Sequence, residues 1–439
     1  MKKNAFIFLI LFRSVAIFAQ ESYNLQRCLE AGLQKNYDIR IIRNEERISA
    51  NNVSWGNVGF LPSLDLNVGY SGDLDNRINQ KYTGGETDKN KDILNQGANV
   101  GLNLAWTVFD GLQMQTNYER LKQFHEAGEL NTKLVIENWI AGFVAEYYNY
   151  VHHNLQLANL RYAVLLSKER MRIAAEKYNI GSDSRLDMLQ AKVDFNADSS
   201  NLIKQYEVVY KSGVNLNRMM AADDVSQKIV VSDSIIALNS SLDEEILRQS
   251  MLRSNYNLLL SAKNRTVSEL DYRALKGRNY PYIKFNAGYG YTLNTYGSGS
   301  LERMENLGLT YGFTLGFNIF DGMNRNREQK NARITIENRL LQYEQLEQSL
   351  QADLAQMLMA YRNNLDLIQL ERENLQSARE NYEIAIERYR LGTLSGIELR
   401  EAQNSLLNAE ERLLQAEFNT KICEISLMQI SGQASDYLK

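Results

Sequence analysis

The 439-residue sequence contains only two prolines, two cysteines and three histidines. So few prolines favour very long helices, because proline breaks a helix from within. The two cysteines, Cys28 and Cys423, do not form a disulfide framework, and the histidines show no metal-ligand spacing. The formal net charge of −4 lacks the basic excess that a nucleic-acid partner requires. The sequence also lacks nucleophile motifs and phosphate-binding loops, so it predicts no enzyme, no cofactor and no metal site.

The N-terminus has the pattern of a secretory signal. Lys2 and Lys3 precede an apolar stretch that begins at Ala5, and Ala19 is a small residue before the expected cleavage site. We therefore expect residues 1–19 to be a signal peptide, with an N-terminal anchor helix as the alternative. No later stretch of 18 apolar residues follows, so the remaining chain has no predicted transmembrane helix.

The chain repeats itself at long range. Pro62 and Pro281 lie 219 residues apart in the similar segments FLPSLDLNVGY and NYPYIKFNAGYG. The segments WTVFDG and FNIFDG lie 211 residues apart, and so do EKYNIGSDS and ERYRLGTLS. Self-similarity at a fixed offset indicates a duplicated structural unit. The expected divisions are a first repeat at 20–220, a polar linker at 221–241, a second repeat at 242–432 and a C-terminal tail at 433–439.

Each repeat has the same order of predicted elements. The expected elements are a helix at about 24–55 and 243–278, strands at about 62–72, 97–110, 281–294 and 307–320, a long helix at about 112–178 and 323–390, and a closing helix at about 185–220 and 396–430. A helix of about 70 residues extends on the order of 100 Å, at 1.5 Å per residue. No compact domain needs a helix of that length, whereas a tube across a wide aqueous compartment does.

The strands alternate in polarity. Between 307 and 319, every odd position is apolar or aromatic and every even position is Gly, Thr or Asn. This period of two places the apolar side chains on one face of a sheet, over about the length that a tilted strand needs to cross a bilayer. The alternative is a soluble hairpin with one buried face, which needs a core to cover it. Because four strands cannot close a barrel alone, we expect the chain to oligomerise.

These features, in this order and twice over, resemble the TolC-like outer membrane efflux protein family. The resemblance rests on the duplicated helix–strand–strand–helix plan, the proline before each strand pair, the two Phe-Asp-Gly segments and the two Tyr-x-x-Gly breaks. It covers nearly all of the chain after residue 19. It implies an α plus transmembrane β fold: a homotrimer in which each chain gives four strands to a shared 12-stranded barrel, continued by a long α-helical periplasmic tunnel.

The resemblance also implies a function. Such a protein is the passive exit duct of a tripartite efflux or type I secretion system, set in outer-membrane lipid of a Gram-negative bacterium. Its expected partners are a periplasmic adaptor (membrane fusion protein) and an inner-membrane transporter. The alternative is a soluble periplasmic coiled-coil scaffold or adaptor without transport activity.

The two helix–helix breaks, at 178–191 and 389–402, have similar capping signals. Glycine suits the positive φ that ends a helix, and serine followed three residues later by an acid forms a capping box. The residues concerned are Gly181, Ser184 and Asp187 in the first break, and Gly392, Ser395 and Glu398 in the second. The resemblance places both breaks at the periplasmic tip, where Gly181, Ser184, Gly392 and Ser395 would contact the adaptor.

The resemblance further implies a gate at this tip. Glu398 and Glu401 match two acids of the family's constriction, and threefold symmetry would make them a ring of six carboxylates that favours cations. Capping accounts for Glu398 equally well. It does not account for Glu401, whose partner in the first repeat is Gln190.

Two further residues match the family's closed state, in which a tyrosine and an arginine of the second break bond to an aspartate of the first. Tyr389 and Asp187 match the tyrosine and the aspartate. The arginine position is occupied by Leu394. Arg390 and Arg185 are candidate replacements.

The repeated Phe-Asp-Gly predicts a joint between strand and helix. We expect the phenylalanines near the membrane interface, the aspartates at a helix N-terminus by capping and dipole, and the glycines at a tight bend. The six joint residues are Phe109, Asp110, Gly111, Phe320, Asp321 and Gly322. The polar tracts 72–97 and 294–306 are expected to be extracellular loops.

Overall fold

The computed structural model describes residues 24–81, 83–85, 87–231, 233, 235–239 and 241–438. The expected signal peptide at 1–19 lies outside these residues. The described elements are α1 (Leu25–Lys35), α2 (Tyr37–Asn52), β1 (Ser63–Asp75), β2 (Ile78–Lys81), β3 (Thr87–Asn90), β4 (Ile93–Phe109), α3 (Gln113–Asn179), α4 (Arg185–Met219), α5 (Glu244–Ser254), α6 (Tyr256–Gly277), β5 (Tyr282–Thr295), β6 (Arg303–Gly316), α7 (Asn324–Arg390), α8 (Gly396–Ile430) and a 3₁₀ helix (Ala434–Leu438).

The long helices of the two halves match in length. Helices α3 and α7 each contain 67 residues, and α4 and α8 each contain 35. The chain thus combines long helices with a small set of strands, as the sequence predicts. Within the described residues, no helix is both long and apolar enough to cross a membrane.

The first helix of each half is broken, so the prediction of single helices over 24–55 and 243–278 is wrong. Asn36 separates α1 from α2, and Asn255 separates α5 from α6. The Asn36 side-chain oxygen accepts the backbone N–H groups of Asp38 and Ile39, at 2.9 and 3.2 Å. A short polar side chain that bonds nearby backbone competes with the helix at that point. Helical residues flank the asparagine on both sides, so composition does not reveal the break.

Strands β1, β4, β5 and β6 form one antiparallel sheet in that order. The register places apolar residues opposite each other, as in the pairs Leu66–Leu102 and Phe285–Phe313. The rings of the second pair lie 4.7 Å apart between centroids. Strands β2 and β3 form a separate hairpin inside the tract 72–97, which the sequence predicts as a loop.

The last strand of the sheet ends earlier than predicted. Strand β6 stops at Gly316, whereas the alternation in the sequence continues to 319 and the expected strand to 320. Its neighbour β5 begins at Tyr282, which pairs with Gly316, and the preceding Pro281 has no N–H to donate. Beyond Gly316 the chain therefore has no described ladder partner, and Phe320 lies outside the strand.

The chain folds into two compact units, and these units are not the two repeats. The first unit comprises the described residues within 1–40, 135–255 and 350–439; the second comprises the described residues within 41–134 and 256–349. The second unit contains the sheet. The core of the first unit contains large, fully buried side chains from several helices: Leu29, Phe143, Tyr147, Leu216 and Leu427 are each less than 2% exposed.

Candidate functional site

The two helix–helix breaks have the same backbone geometry. Gly181 and Gly392 have φ angles of 79° and 77°. The backbone N–H of Ser182 donates to the Lys177 carbonyl at 2.9 Å, and that of Thr393 donates to the Arg388 carbonyl at 2.9 Å. These bonds use carbonyls that the helix end leaves free, and they require the left-handed conformation that glycine supplies.

Both predicted capping boxes are present. The hydroxyl of Ser184 accepts the backbone N–H of Asp187, and the hydroxyl of Ser395 accepts that of Glu398, each at 3.2 Å. In return, the carboxylates of Asp187 and Glu398 accept the backbone N–H groups of their serines. The N–H of Ser395 lowers the pKa of Glu398, since it stabilises the charged carboxylate. Asp187 and Glu398 are thus both engaged in helix capping.

Tyr389 is buried between the helices, with only 2% of its surface exposed. The ammonium of Lys177 donates to the Tyr389 carbonyl at 2.7 Å and lies 4.0 Å from the centroid of its ring. Burial is the main cause that raises the pKa of Tyr389, and Asp183 adds to it. Lys177 therefore ties α3 to the end of α7, a contact that sequence reasoning missed because the two residues lie 212 positions apart.

Two cavities bring the predicted gate residues together. Asp187, Tyr389 and Glu401 line a cavity of about 270 Å³. Glu398 and Glu401 line a second cavity of about 240 Å³. Glu401 thus borders both cavities, and its side chain is exposed.

The two candidate arginines do not replace the family's arginine in this structure. Arg390 pairs with Glu387 at 2.7 Å and with Glu169 at 3.8 Å. Within the described part of the chain, neither Arg390 nor Arg185 forms an ion pair with Asp187, and no hydrogen bond joins Asp187 to Tyr389. Leu394, at the arginine position, packs against the apolar cluster that contains Tyr389.

Next to these residues lies a buried polar network that sequence reasoning did not find. Arg400 of α8 forms two hydrogen bonds with Asp198 of α4, at 2.7 and 2.9 Å. Arg170 of α3, only 3% exposed, is bonded to Asp194 of α4. Burial lowers the pKa of Arg170, whereas the hydrogen bonds that Arg400 donates to Asp198 raise the pKa of Arg400.

Two neutral side chains complete this network. The hydroxyl of Ser167 donates to the Asp198 carboxylate. The Gln403 amide, 1% exposed, donates to the Ser167 oxygen at 3.3 Å. The residues Ser167, Arg170, Asp194, Asp198, Arg400 and Gln403, here called the α3–α4–α8 network, come from three helices.

The strand-to-helix joints have the bend that their glycines predict. Gly111 and Gly322 have φ angles of 76° and 70°, and the following Leu112 and Met323 also have positive φ angles, of 68° and 66°. The second positive φ in each joint is not predictable from a glycine pattern. Gly111 is also crowded: a Cβ atom there would lie 2.2 Å from the Gly277 carbonyl oxygen.

The two joint aspartates differ. Asp321 accepts the backbone N–H of Arg325 at 3.0 Å and so contacts the N-terminus of α7, as expected. For Asp110 the expected cap is not observed, and its buried Oδ1 atom has no hydrogen-bond partner among the described residues. The phenylalanines also differ, because Phe320 is 71% exposed and Phe109 is half-buried.

The chain belongs to the outer membrane efflux protein family. The model of that family matches residues 29–222 and 247–433, which cover most of both repeats. The resemblance predicted from the repeated strand, joint and break segments is therefore confirmed. No curated protein matches the chain in sequence.

Solved structures with the same fold are outer-membrane proteins. The CmeC outer membrane channel of Campylobacter jejuni is 18% identical with a TM-score of 0.75, over 94% of this chain and 86% of that one. The MtrE outer membrane channel of Neisseria gonorrhoeae is 15% identical with a TM-score of 0.71, over 95% and 90%. The outer membrane protein VceC of Vibrio cholerae is 14% identical with a TM-score of 0.72, over 93% and 96%.

Membership of this family establishes the class of protein. It is an efflux duct of the Gram-negative outer membrane, with a helical tunnel in the periplasm and a β domain. The alternative of a soluble periplasmic scaffold is not favoured.

Proposed function

We propose that three copies of this chain assemble into one duct, each giving β1, β4, β5 and β6 to a closed 12-stranded barrel. The observation that carries this proposal is the uncovered apolar face of the sheet. The outward-facing residues of its two outer strands are each at least 62% exposed: Leu64, Leu66, Val68, Tyr70, Leu307, Leu309, Tyr311, Phe313 and Leu315. An apolar face of this extent needs lipid or protein to cover it.

The two edges of the sheet support the same assembly. Among the described strands, β1 pairs only with β4, and β6 pairs only with β5. An exposed edge carries unpaired N–H and C=O groups that a membrane does not tolerate. Pairing β1 of one copy with β6 of the next would close the sheet and remove every edge.

The constriction of the proposed duct is a ring of Glu401 side chains, one from each copy. Glu401 is exposed, borders the cavity that holds Asp187 and Tyr389, and takes no part in the Ser395–Glu398 cap. Three carboxylates in a narrow ring would attract cations and repel anions. Glu398 would add charge to this ring while its carboxylate caps α8.

The breaks are the proposed contact with the periplasmic adaptor, through Gly181, Ser184, Gly392 and Ser395. Large aliphatic side chains flank them: Ile180 and Leu391 are 80% and 78% exposed, and Leu186 and Ile397 are 73% and 75% exposed. Exposed aliphatic residues at matching positions of both breaks support docking of a protein partner. An inner-membrane transporter would supply the energy and the choice of substrate, and the duct itself would be passive and without catalytic activity.

The assembly is tested by fractionation and by mass. The protein is expected in the outer membrane, with a mass in detergent of three chains. Leu309→Asp places a charge on the proposed lipid face at mid-strand, which costs less than the roughly 2–4 kcal/mol of a basic residue at that depth but should still reduce insertion. Thr310→Asp, one residue along and on the opposite face, is the matched control and should insert. A protein that stays soluble as a monomer, or equal insertion of both variants, would contradict the proposal.

A further inference from the structure

The α3–α4–α8 network lies directly beside the proposed constriction. Arg400 precedes Glu401 on α8, and its guanidinium is held in two bonds by Asp198 of α4. Arg400, Arg170 and Glu401 line the same cavity of about 270 Å³. Successive side chains on a helix point about 100° apart. Fixing the direction of Arg400 against α4 therefore also fixes the direction of Glu401.

The other repeat shows that the helices do not need this network to form. The positions that correspond to Arg400 and Asp198 are Leu189 and Ala409, and those that correspond to Arg170 and Asp194 are Asn381 and Ser405. None of these four can form an ion pair, yet α7 and α8 have the same lengths and caps as α3 and α4.

Stability alone is also a weak reason for such a pair. Removing charges from water costs about as much as their attraction returns, and apolar residues of similar volume often stabilise as well or better. The second repeat uses mainly small or neutral residues at these positions. Because these charges occur at only one of the two equivalent places, they indicate a function that is specific to that place in the molecule.

We propose that Asp198 and Arg400 form a latch that holds α8 against α4, positions Glu401 and keeps the tip narrow. This inference rests on the proposed duct and identifies positioning residues for its constriction. Ser167, to which Gln403 donates a hydrogen bond, holds the Asp198 carboxylate in place for Arg400, and the bond from Arg170 to Asp194 joins α3 to α4. Breaking the latch would free α8 to move away from α4.

The test compares Asp198→Asn, Arg400→Gln and the double variant in planar-bilayer conductance and thermal unfolding. Each single variant leaves one buried or partly buried charge without its hydrogen-bonded partner, so each should unfold at a lower temperature. The double variant removes both charges and should recover much of that stability. If the pair is a latch, the conductance of the double variant should still exceed that of the wild type by at least about twofold. Conductance and stability would then change independently, which a purely structural role does not predict.

Arg372→Gln is the matched control. Arg372 pairs with Glu417 at 3.3 Å between α7 and α8, and its side chain is 64% exposed. It should leave both conductance and unfolding unchanged. Wild-type conductance in the double variant would overturn the latch. The constriction itself is tested separately by the ion preference of Glu401→Ala, so failure of the latch is distinguishable from failure of the proposed duct.

Discussion

The side-chain amide of Asn36 donates a hydrogen bond of 2.9 Å to the carbonyl of Met219, at the end of α4. The second repeat has the same bond: the amide of Asn255 donates to the carbonyl of Ile430, at the end of α8, also at 2.9 Å. Both asparagines are buried, at 7% and 4% exposure. Each one therefore breaks its own helix and ties that break to the closing helix of the same repeat.

We predict that Asn36→Ala lowers the free energy of unfolding by about 1–3 kcal/mol, since it leaves the Met219 carbonyl and the first N–H groups of α2 without their partner. Urea unfolding in detergent measures the change. Asn44→Ala, at an exposed position in α2, is the control and should change stability by less than about 0.5 kcal/mol. Equal effects at the two positions would show that the Asn36–Met219 hydrogen bond contributes nothing to stability.

The joint glycines should differ in their tolerance of alanine. Both have positive φ, which costs an alanine about 1–2 kcal/mol. Only Gly111 lacks space, because the Gly277 carbonyl oxygen occupies the position that a Cβ would need. Gly111→Ala should therefore cost about 1–3 kcal/mol more than Gly322→Ala, by overpacking. Comparison of the two unfolding midpoints checks this, and similar midpoints would contradict it.

Gly32 and Trp139 form a small–large pair, which the second repeat replaces with two side chains of similar size. A Cβ on Gly32 would lie 2.3 Å from the Trp139 ring. The corresponding positions are Met251 and Leu350, both buried. We predict that Gly32→Met and Trp139→Leu each destabilise the fold, by overpacking and by a cavity respectively. The double variant should lose less stability than the two single variants lose together. The difference in a double-mutant cycle should be about 0.5–3 kcal/mol. Strict additivity would disprove the pairing.

Glu137 should make stability depend on pH. Its carboxylate accepts the backbone N–H of Ala434, but burial dominates and raises its pKa from 4.5 to about 7. Because the folded pKa is the higher one, its contribution to stability is complete below pH 4.5 and is lost as the pH rises through about 7. Glu137→Gln should therefore be more stable than the wild type above pH 7, by about 3 kcal/mol at most, and similar below pH 4.5. A constant difference across this range would contradict the assignment.

Local signals predicted much of this structure, and long-range contacts account for what they missed. The glycines at 181 and 392 and the serines at 184 and 395 act within one helical turn, so their roles could be predicted from short segments. The Arg400–Asp198 bonds join residues 202 positions apart, and spacing carries no information about such a pair. The break at Asn36 was missed because its partner, Met219, is 183 positions away. The early end of β6 depends on where β5 begins, which is a property of the pairing and not of either strand.

The central claim is that three copies of this chain form a duct constricted by Glu401, and the reversal potential across a planar bilayer in a salt gradient tests it most directly. The wild type should prefer cations. Glu401→Ala should lose most of that preference, because it removes three carboxylates from the ring. Glu411→Ala, which removes an exposed acid of the same helix, should keep it. Unchanged conductance and cation preference in Glu401→Ala would contradict the account.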